Sequence, residues 1–185
     1  MIRKRIIVIT DGDEVAQQAV RLAGKKLGLR VISRSGGNPT PLEGAEIAAL
    51  IKKAPFDPVL VMVDDRGRRY QGQGERALAY LAADPEIEIL GVLAVAANTE
   101  GAQGTAVSFS IDNRGEVVAG AVDKDGHEVG NPTLKGDTVD VLNEIQVPLI
   151  VGIGDVGKNG GRDAIRRGVP ITVRAIREIL RHHRV

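Results

Sequence analysis

Cysteine is absent from the 185 residues, which excludes a disulfide scaffold and thiolate metal centres while leaving the compartment open. Tryptophan is absent too, and the aromatic set is two phenylalanines and two tyrosines. Single-stranded nucleic acid stacks its bases on aromatic platforms, and Phe56, Tyr70, Tyr80 and Phe109 are too few and too scattered to form one. Neither sign of charge dominates. The 25 basic and 24 acidic residues create no global field, so nucleic acid is not an expected partner. Of the three histidines, His127 lies in a turn-rich stretch and His182 and His183 lie at the C-terminus. None is placed for acid–base work at a strand edge. No serine sits in a nucleophile elbow, and no G-x-G-x-x-G follows the first strand, so a nicotinamide cofactor is not expected. The case for catalysis is poor. The opening MIRKRIIVIT has only residues 6–9 as an apolar run before Thr10-Asp11-Gly12-Asp13, too short for secretion or a membrane span. The composition predicts a soluble, intracellular chain with residues 1–185 as one domain.

What is present is an alternation of short β-branched runs with stretches of helical period, the pattern of a parallel sheet covered by helices. Strands are predicted near residues 6–10, 29–33, 58–63, 89–97 and 149–153. The fourth is apolar along nearly its whole length and belongs in the sheet centre. Val15, Ala16, Ala19, Leu22, Ala23 and Leu27 trace one helical face, and Gly28 is placed to end that helix. The second helix should start at TPLE, with Thr40 as N-cap and Pro41 as its first residue. Helices are also expected over residues 75–83, 137–145 and 171–183. Between the fourth strand and its helix, SFSIDNRGEVVAGAVDKDGHEVG alternates apolar and polar residues, which predicts an inserted β-meander at about residues 106–130. The fold class is α/β: a three-layer sandwich of flavodoxin-like or Toprim-like type on a five-stranded parallel sheet. Strand order 2-1-3-4-5 is the simplest arrangement.

Open α/β sheets bind ligands beyond the carboxyl ends of their strands. Those ends carry Asp11 and Asp13, then Ser35 and Asn38, then Asp64 and Asp65, then Asn98 and Thr99, and finally Gly154 and Asp155. With the first and third strands adjacent, Asp11, Asp13, Asp64 and Asp65 crowd together. Two unit charges about 4 Å apart repel by roughly 4 kcal/mol at an effective dielectric near 20. A magnesium or calcium ion held by oxygen ligands would relieve this, as would raised pKa values or the nearby Arg66, Arg68, Arg69 and Lys158. Helix capping competes for the same oxygens, with Asp11 as N-cap and Glu14 three residues on. In the insertion, D-K-D-G-H-E has its glycine at the wrong position for a calcium hand.

The last loop, VGIGDVGKNGGRD, contains G-x-x-x-x-G-K from Gly152 to Lys158. A nucleotide-triphosphate loop needs Ser or Thr next to ligate magnesium, but Asn159 stands there, followed by Gly160-Gly161 where a helix should begin. What survives is a glycine-rich turn whose amides and Lys158 could take an anion of another kind. Toprim-type magnesium domains are similar in placing acids after the first and third strands. They put Asp-x-Asp third, whereas here it comes first. Magnesium-dependent nucleotide binding or phosphoryl transfer on the acidic cluster is therefore the alternative reading.

Taken together, TDGDEVA, SRSGGNP, DPVLVMVDD, GVLAVAANT, VDKDGHEVG, GDTVDVLNE and PLIVGIGDVGK resemble the stage V sporulation protein AE family, the soluble member encoded in the SpoVA operon of endospore formers. The likeness covers about residues 5–180. It implies a non-enzymatic accessory or binding protein acting in sporulation and germination, peripheral at the inner membrane of the developing spore. Its partners would be the membrane and soluble subunits that move calcium dipicolinate. On the last predicted helix, Arg174, Arg177, Arg181 and Arg184 recur at spacings of three, four and three, a cationic stripe. Such a stripe could dock on an anionic membrane or an acidic patch of a membrane partner, or simply be solvated.

Overall fold

The computed structural model describes residues 2–67 and 72–185. Thirteen regular elements follow one another. They are β1 (Lys4–Ile9), α1 (Glu14–Leu27), β2 (Arg30–Val31), α2 (Gly44–Lys53), β3 (Val59–Met62), α3 (Gln73–Ala83), β4 (Ile87–Val95), β5 (Thr105–Ala106), β6 (Phe109–Ile111), β7 (Val117–Val118), β8 (Thr133–Leu134), β9 (Ile150–Ile153) and α4 (Pro170–His182). Seven of the strands form one sheet in the order β2-β3-β1-β4-β9-β6-β7. All its pairings are parallel except β6 with β7.

Side-chain alternation along the central strands builds two cores, one on each face of the sheet. Ile6 and Val8 of β1 join Ile47 and Ile51 of α2 and Leu78 and Leu81 of α3. Ile7 and Ile9 join Ala16, Ala19 and Ala23 of α1 and Ile176 and Ile179 of α4. The result is three layers, helices on both faces of a mostly parallel sheet. Fully burying a Leu or Ile side chain stabilises by roughly 1.5–3 kcal/mol, and Ile6, Ile7, Ile9, Ile47, Leu78 and Leu81 are wholly inside.

Four expectations change. The sheet has seven strands rather than five, and β3 separates β2 from β1, where the simplest order had put the first strand beside the second. Length matching accounts for this: β1 has six residues and β4 nine, and they pair along Lys4–Ile9. The four-residue β3 and two-residue β2 taper toward the edge. The insertion is not a separate meander. Its β6 extends the main sheet beside β9 and carries β7, while β5 and β8 form a small antiparallel ladder. Residues 137–145 do not form a helix but a single 3-10 turn, Asp140–Asn143, after Thr138, which takes a positive φ of 59°. Finally, α2 begins at Gly44, with Glu43 as its N-cap and the Glu46 carboxylate accepting the Glu43 N–H at 2.9 Å. Thr40 serves elsewhere: its Oγ1 donates to the Asp64 carbonyl and accepts the Asp64 N–H at 2.8 Å, latching the preceding loop to the end of β3.

Candidate functional site at the carboxyl edge of the sheet

The edge is assembled from the ends of β1, β3, β4 and β9. Thr10 closes β1 by donating its N–H to the Leu93 carbonyl and accepting the Val95 N–H on Oγ1 at 2.9 Å. Asp11 is thereby held over the gap between β1 and β4. Gly12 then passes so close to Gly37 that a Cβ there would lie 2.5 Å from the Gly37 carbonyl oxygen. Its N–H donates to Asp64 Oδ2 at 3.0 Å, joining the first and third strand ends. Asp13, not Asp11, is the N-cap of α1, accepting the Ala16 N–H at 2.8 Å. Asp11 is left with one long contact, the Asp13 N–H at 3.4 Å.

Asp64 and Asp65 part company. Asp64 turns into the crevice, where its Oδ1 also accepts the Arg66 N–H. Asp65 turns away and caps α3 by accepting the amides of Gly74 at 2.7 Å and Glu75. Its place near the acidic group is taken by Asp137, which the sequence reading had assigned only to a helix start. The carboxylate of Asp137 accepts the Gly67 N–H and the Thr99 hydroxyl. The crevice has a volume of about 260 Å³ and is lined by Asp11, Asp13, Asn38, Asp64, Arg66, Asp137 and Asp155.

Burial and mutual repulsion act on these carboxyls as elementary electrostatics requires. Desolvation, with Asp13, Asp64 and Asp155 adding repulsion, raises the Asp11 pKa to about 8. Desolvation also raises Asp64 to about 6, against two backbone hydrogen bonds that favour its charge, with Asp137 and Asp13 pushing further up. Asp155 is raised by burial, an effect that Lys158 and Lys124 oppose. Among the described residues, the only three His, Asp or Glu side chains whose donor atoms lie within 4.8 Å of one another are Asp123, Asp125 and His127. The crevice carboxylates therefore do not close an inner-sphere cage as placed, and a cation there would keep water in its shell.

Beside the crevice lies a larger cleft of about 600 Å³, built from the end of β4 and the insertion. Ala96, Ala97 and Val122 give it an apolar wall, Asn98, Thr99 and Asn131 give it hydrogen-bonding groups, and Lys124 and Lys135 give it positive charge. Asp123 and Glu100 also border it. Ala97 lines both cavities, and Thr99 stands in the cleft while donating to Asp137 of the crevice. Neither lysine forms an ion pair within 4 Å among the described residues. Lys124 and Lys135 carried no signal in the sequence, because only the packing of residues 120–136 onto the end of β4 brings them to Asn98 and Thr99.

The other expected residues have different placements. Ser35 is wholly buried, its Oγ donating to the Ile32 carbonyl at 2.6 Å and accepting the Met62 N–H at 3.0 Å. Gly154 is a packing glycine, since a Cβ there would lie 2.6 Å from Asn159 Oδ1 and 2.7 Å from the Lys124 carbonyl. Lys158 is exposed and lines neither cavity. Arg68 and Arg69 lie outside the described residues. The loop that imitates a nucleotide site spends its amides internally. The N–H of Gly157 donates to Asp163 and that of Lys158 to the Asp155 carbonyl, and only a 3-10 turn, Asn159–Gly161, follows. Asp163, unnoticed in the sequence, organises this loop. It is fully buried and accepts the amides of Gly157, Ile171 and Thr172 and the Thr172 hydroxyl, fastening the loop to the start of α4.

On α4, Glu178 divides the arginine stripe. Its carboxylate pairs with Arg174 at 3.0 Å and Arg181 at 3.4 Å. Arg177 is exposed, and Arg184 lies beyond the helix with a positive φ of 55°. Among the described residues, no helix is long and apolar enough to cross a membrane.

In doubly covered, mostly parallel α/β sheets any ligand is expected in the crevices beyond the carboxyl ends of the strands, which is where both polar cavities lie. The family model for stage V sporulation protein AE1 matches residues 5–183, and the chain belongs to that SpoVAE family. Membership implies a sporulation-related role connected with the SpoVA operon and places the chain's work in the developing spore. No match was found among curated proteins or among solved structures.

Proposed function

We propose that this protein is a non-enzymatic, soluble accessory of the SpoVA assembly at the spore inner membrane, and that it binds calcium dipicolinate as cargo during sporulation and germination. The observation that carries this reading is the pair of adjoining cavities of different character, meeting at Ala97. One is acidic, and the other has an apolar wall, two acids and two lysines that form no ion pair among the described residues. Calcium takes roughly 6–8 oxygen ligands. Dipicolinate supplies part of that shell from its ring nitrogen and two carboxylates, so the protein needs to offer only outer contacts. A spread set of carboxylates such as Asp11, Asp64 and Asp155 suits an ion that arrives already chelated. The lysines suit the dipicolinate carboxylates, and Ala96, Ala97 and Val122 suit the face of its ring. Peripheral association would use exposed Arg177 and its neighbours against anionic lipid or an acidic partner subunit. The alternative on the acidic cluster, magnesium-dependent nucleotide binding or phosphoryl transfer, has no support from the family, and Lys158 does not line the crevice with Asp11, Asp13 and Asp64.

Equilibrium dialysis tests the reading with three ligands: calcium dipicolinate, calcium chloride and sodium dipicolinate. The salt is expected to bind more tightly than either ion alone, with Lys124→Glu/Lys135→Glu weakening the salt and dipicolinate but not calcium. Equal affinity for calcium with and without dipicolinate would overturn the proposal, as would no binding at millimolar concentration.

A further inference from the structure

We propose that the turn over residues 123–127 is a binding site for a borderline divalent transition-metal ion, zinc in particular, held by Asp123, Asp125 and His127. One carboxylate oxygen from each aspartate and one imidazole nitrogen lie within 4.8 Å of one another. His127 Nδ1 is 3.7 Å from Asp123 Oδ2. The two oxygens of Asp123 have different duties: Oδ1 accepts the amides of Asp125 and His127 at 2.9 and 3.0 Å, which leaves Oδ2 turned to the imidazole. The Asp125 carboxylate makes no hydrogen bond or ion pair among the described residues.

The donors sit on a braced support. The Gly126 carbonyl accepts the Asn113 N–H, and the Lys124 carbonyl accepts the Asp155 N–H at 2.8 Å. From the protein side, the fully buried carboxamide of Asn159 packs against Gly126, where a Cβ would collide with it. Little loop ordering is therefore left for the ion to impose. On the outer side, Asp123 and His127 are accessible, with side-chain exposures of 44% and 67%.

The donor set selects the metal class. Calcium and magnesium prefer all-oxygen shells, whereas an imidazole with carboxylates suits zinc and its neighbours. Three protein ligands leave an open position for water or for an anion in the adjoining cleft, which Asp123 and Lys124 border. This site is separate from the acidic crevice, although Asp123 also borders the cleft assigned to dipicolinate. Its test uses the metal ion alone, so its failure is distinct from failure of that reading.

The test is isothermal titration of the full chain with zinc chloride and with calcium chloride, paired with the visible absorption of the cobalt-substituted protein. Wild type should bind one zinc in preference to calcium, and cobalt should show absorption that indicates a nitrogen ligand. His127→Ala and Asp125→Asn change exposed or unbonded groups and leave the turn's hydrogen bonds intact. Outer partners of a ligand alone contribute roughly 10–100-fold to metal affinity, so each variant should weaken zinc by at least about tenfold. His182→Ala/His183→Ala should bind as wild type. Undiminished zinc binding in His127→Ala would overturn the proposal, as would loss of binding in Asp11→Asn or in the His182/His183 variant instead, or preference for calcium.

Discussion

Two loops at the same sheet edge look alike in sequence and end in opposite states. TDGDE after β1 and GDVGKNGGRD after β9 both mix aspartate with glycine. In the second, Asp163 is buried and accepts three backbone amides and a hydroxyl, so its oxygens are fully engaged and it serves as a rivet, even though burial outweighs those bonds and raises its pKa. In the first, Asp13 and Asp64 divide the available amides between them, and Asp11 is left with a single contact of 3.4 Å among like charges. The supply of amides, not the presence of aspartate, decides whether a strand-end carboxylate becomes structure or remains available to a ligand.

The largest expected effect breaks the comparison on its structural side. Asp163→Ala strands the amides of Gly157, Ile171 and Thr172, and each buried donor left unsatisfied costs about 1–3 kcal/mol. Urea denaturation checks this. A loss under about 1 kcal/mol would mean that α4 and its loop are held by packing alone.

The next effect lies on the available side. Asp11 and Asp64 have folded-state pKa values raised to about 8 and about 6, so the native protein retains protons that the unfolded chain has released. Their contribution to stability is fully present below the ordinary carboxyl range. It is lost as pH rises, first through about 6 for Asp64 and then through about 8 for Asp11. Each group adds a slope of at most about 1.4 kcal/mol per pH unit within its window. Thermal melts of ion-free protein across these windows should show the decline, and Asp11→Asn should remove its upper part. A pH-independent melting temperature would contradict the desolvation and repulsion described for the crevice.

Thr99→Val sharpens the comparison by cutting the link between the cavities. Asp137 loses a hydroxyl donor, a change of about 1 kcal/mol in stability. Dipicolinate binding should weaken in step, as dialysis would reveal. The smallest effect concerns α4. Glu178→Ala frees Arg174 and Arg181 from their shared partner. Each arginine near an anionic bilayer contributes about 1 kcal/mol at most. Co-sedimentation with phosphatidylglycerol vesicles at low salt should therefore rise in Glu178→Ala and fall in Arg177→Glu.

Much of this edge was legible because period and position are local properties. The apolar runs located β1, β3, β4 and β9, and the polar residues immediately after them located Asp11, Asp13, Asp64 and Asp155. The adjacency of Asp64 and Asp65 held information as well, since neighbours leaving a strand point to opposite sides, and only one of them could enter the crevice. The order of β1 and β3 depended on how strand lengths match across the whole sheet, which no local pattern encodes. The larger cleft was invisible for a similar reason. Asn98 and Lys135 are brought together through the Ala97 N–H donating to the Lys135 carbonyl, a long-range bond joining the end of β4 to the insertion. Asp163 had the weakest signal of all, an aspartate in a glycine-rich loop whose partners, Ile171 and Thr172, lie at the start of the next helix.

The most direct test of the paired cavities is a crystal of the full chain soaked with calcium dipicolinate. The account predicts calcium density facing Asp11 and Asp64 with water in its shell, the ring over Ala96 and Ala97, and the dipicolinate carboxylates turned to Lys124 and Lys135. Calcium dipicolinate seated away from Ala97, or calcium in the crevice with dipicolinate excluded from the cleft, would contradict it.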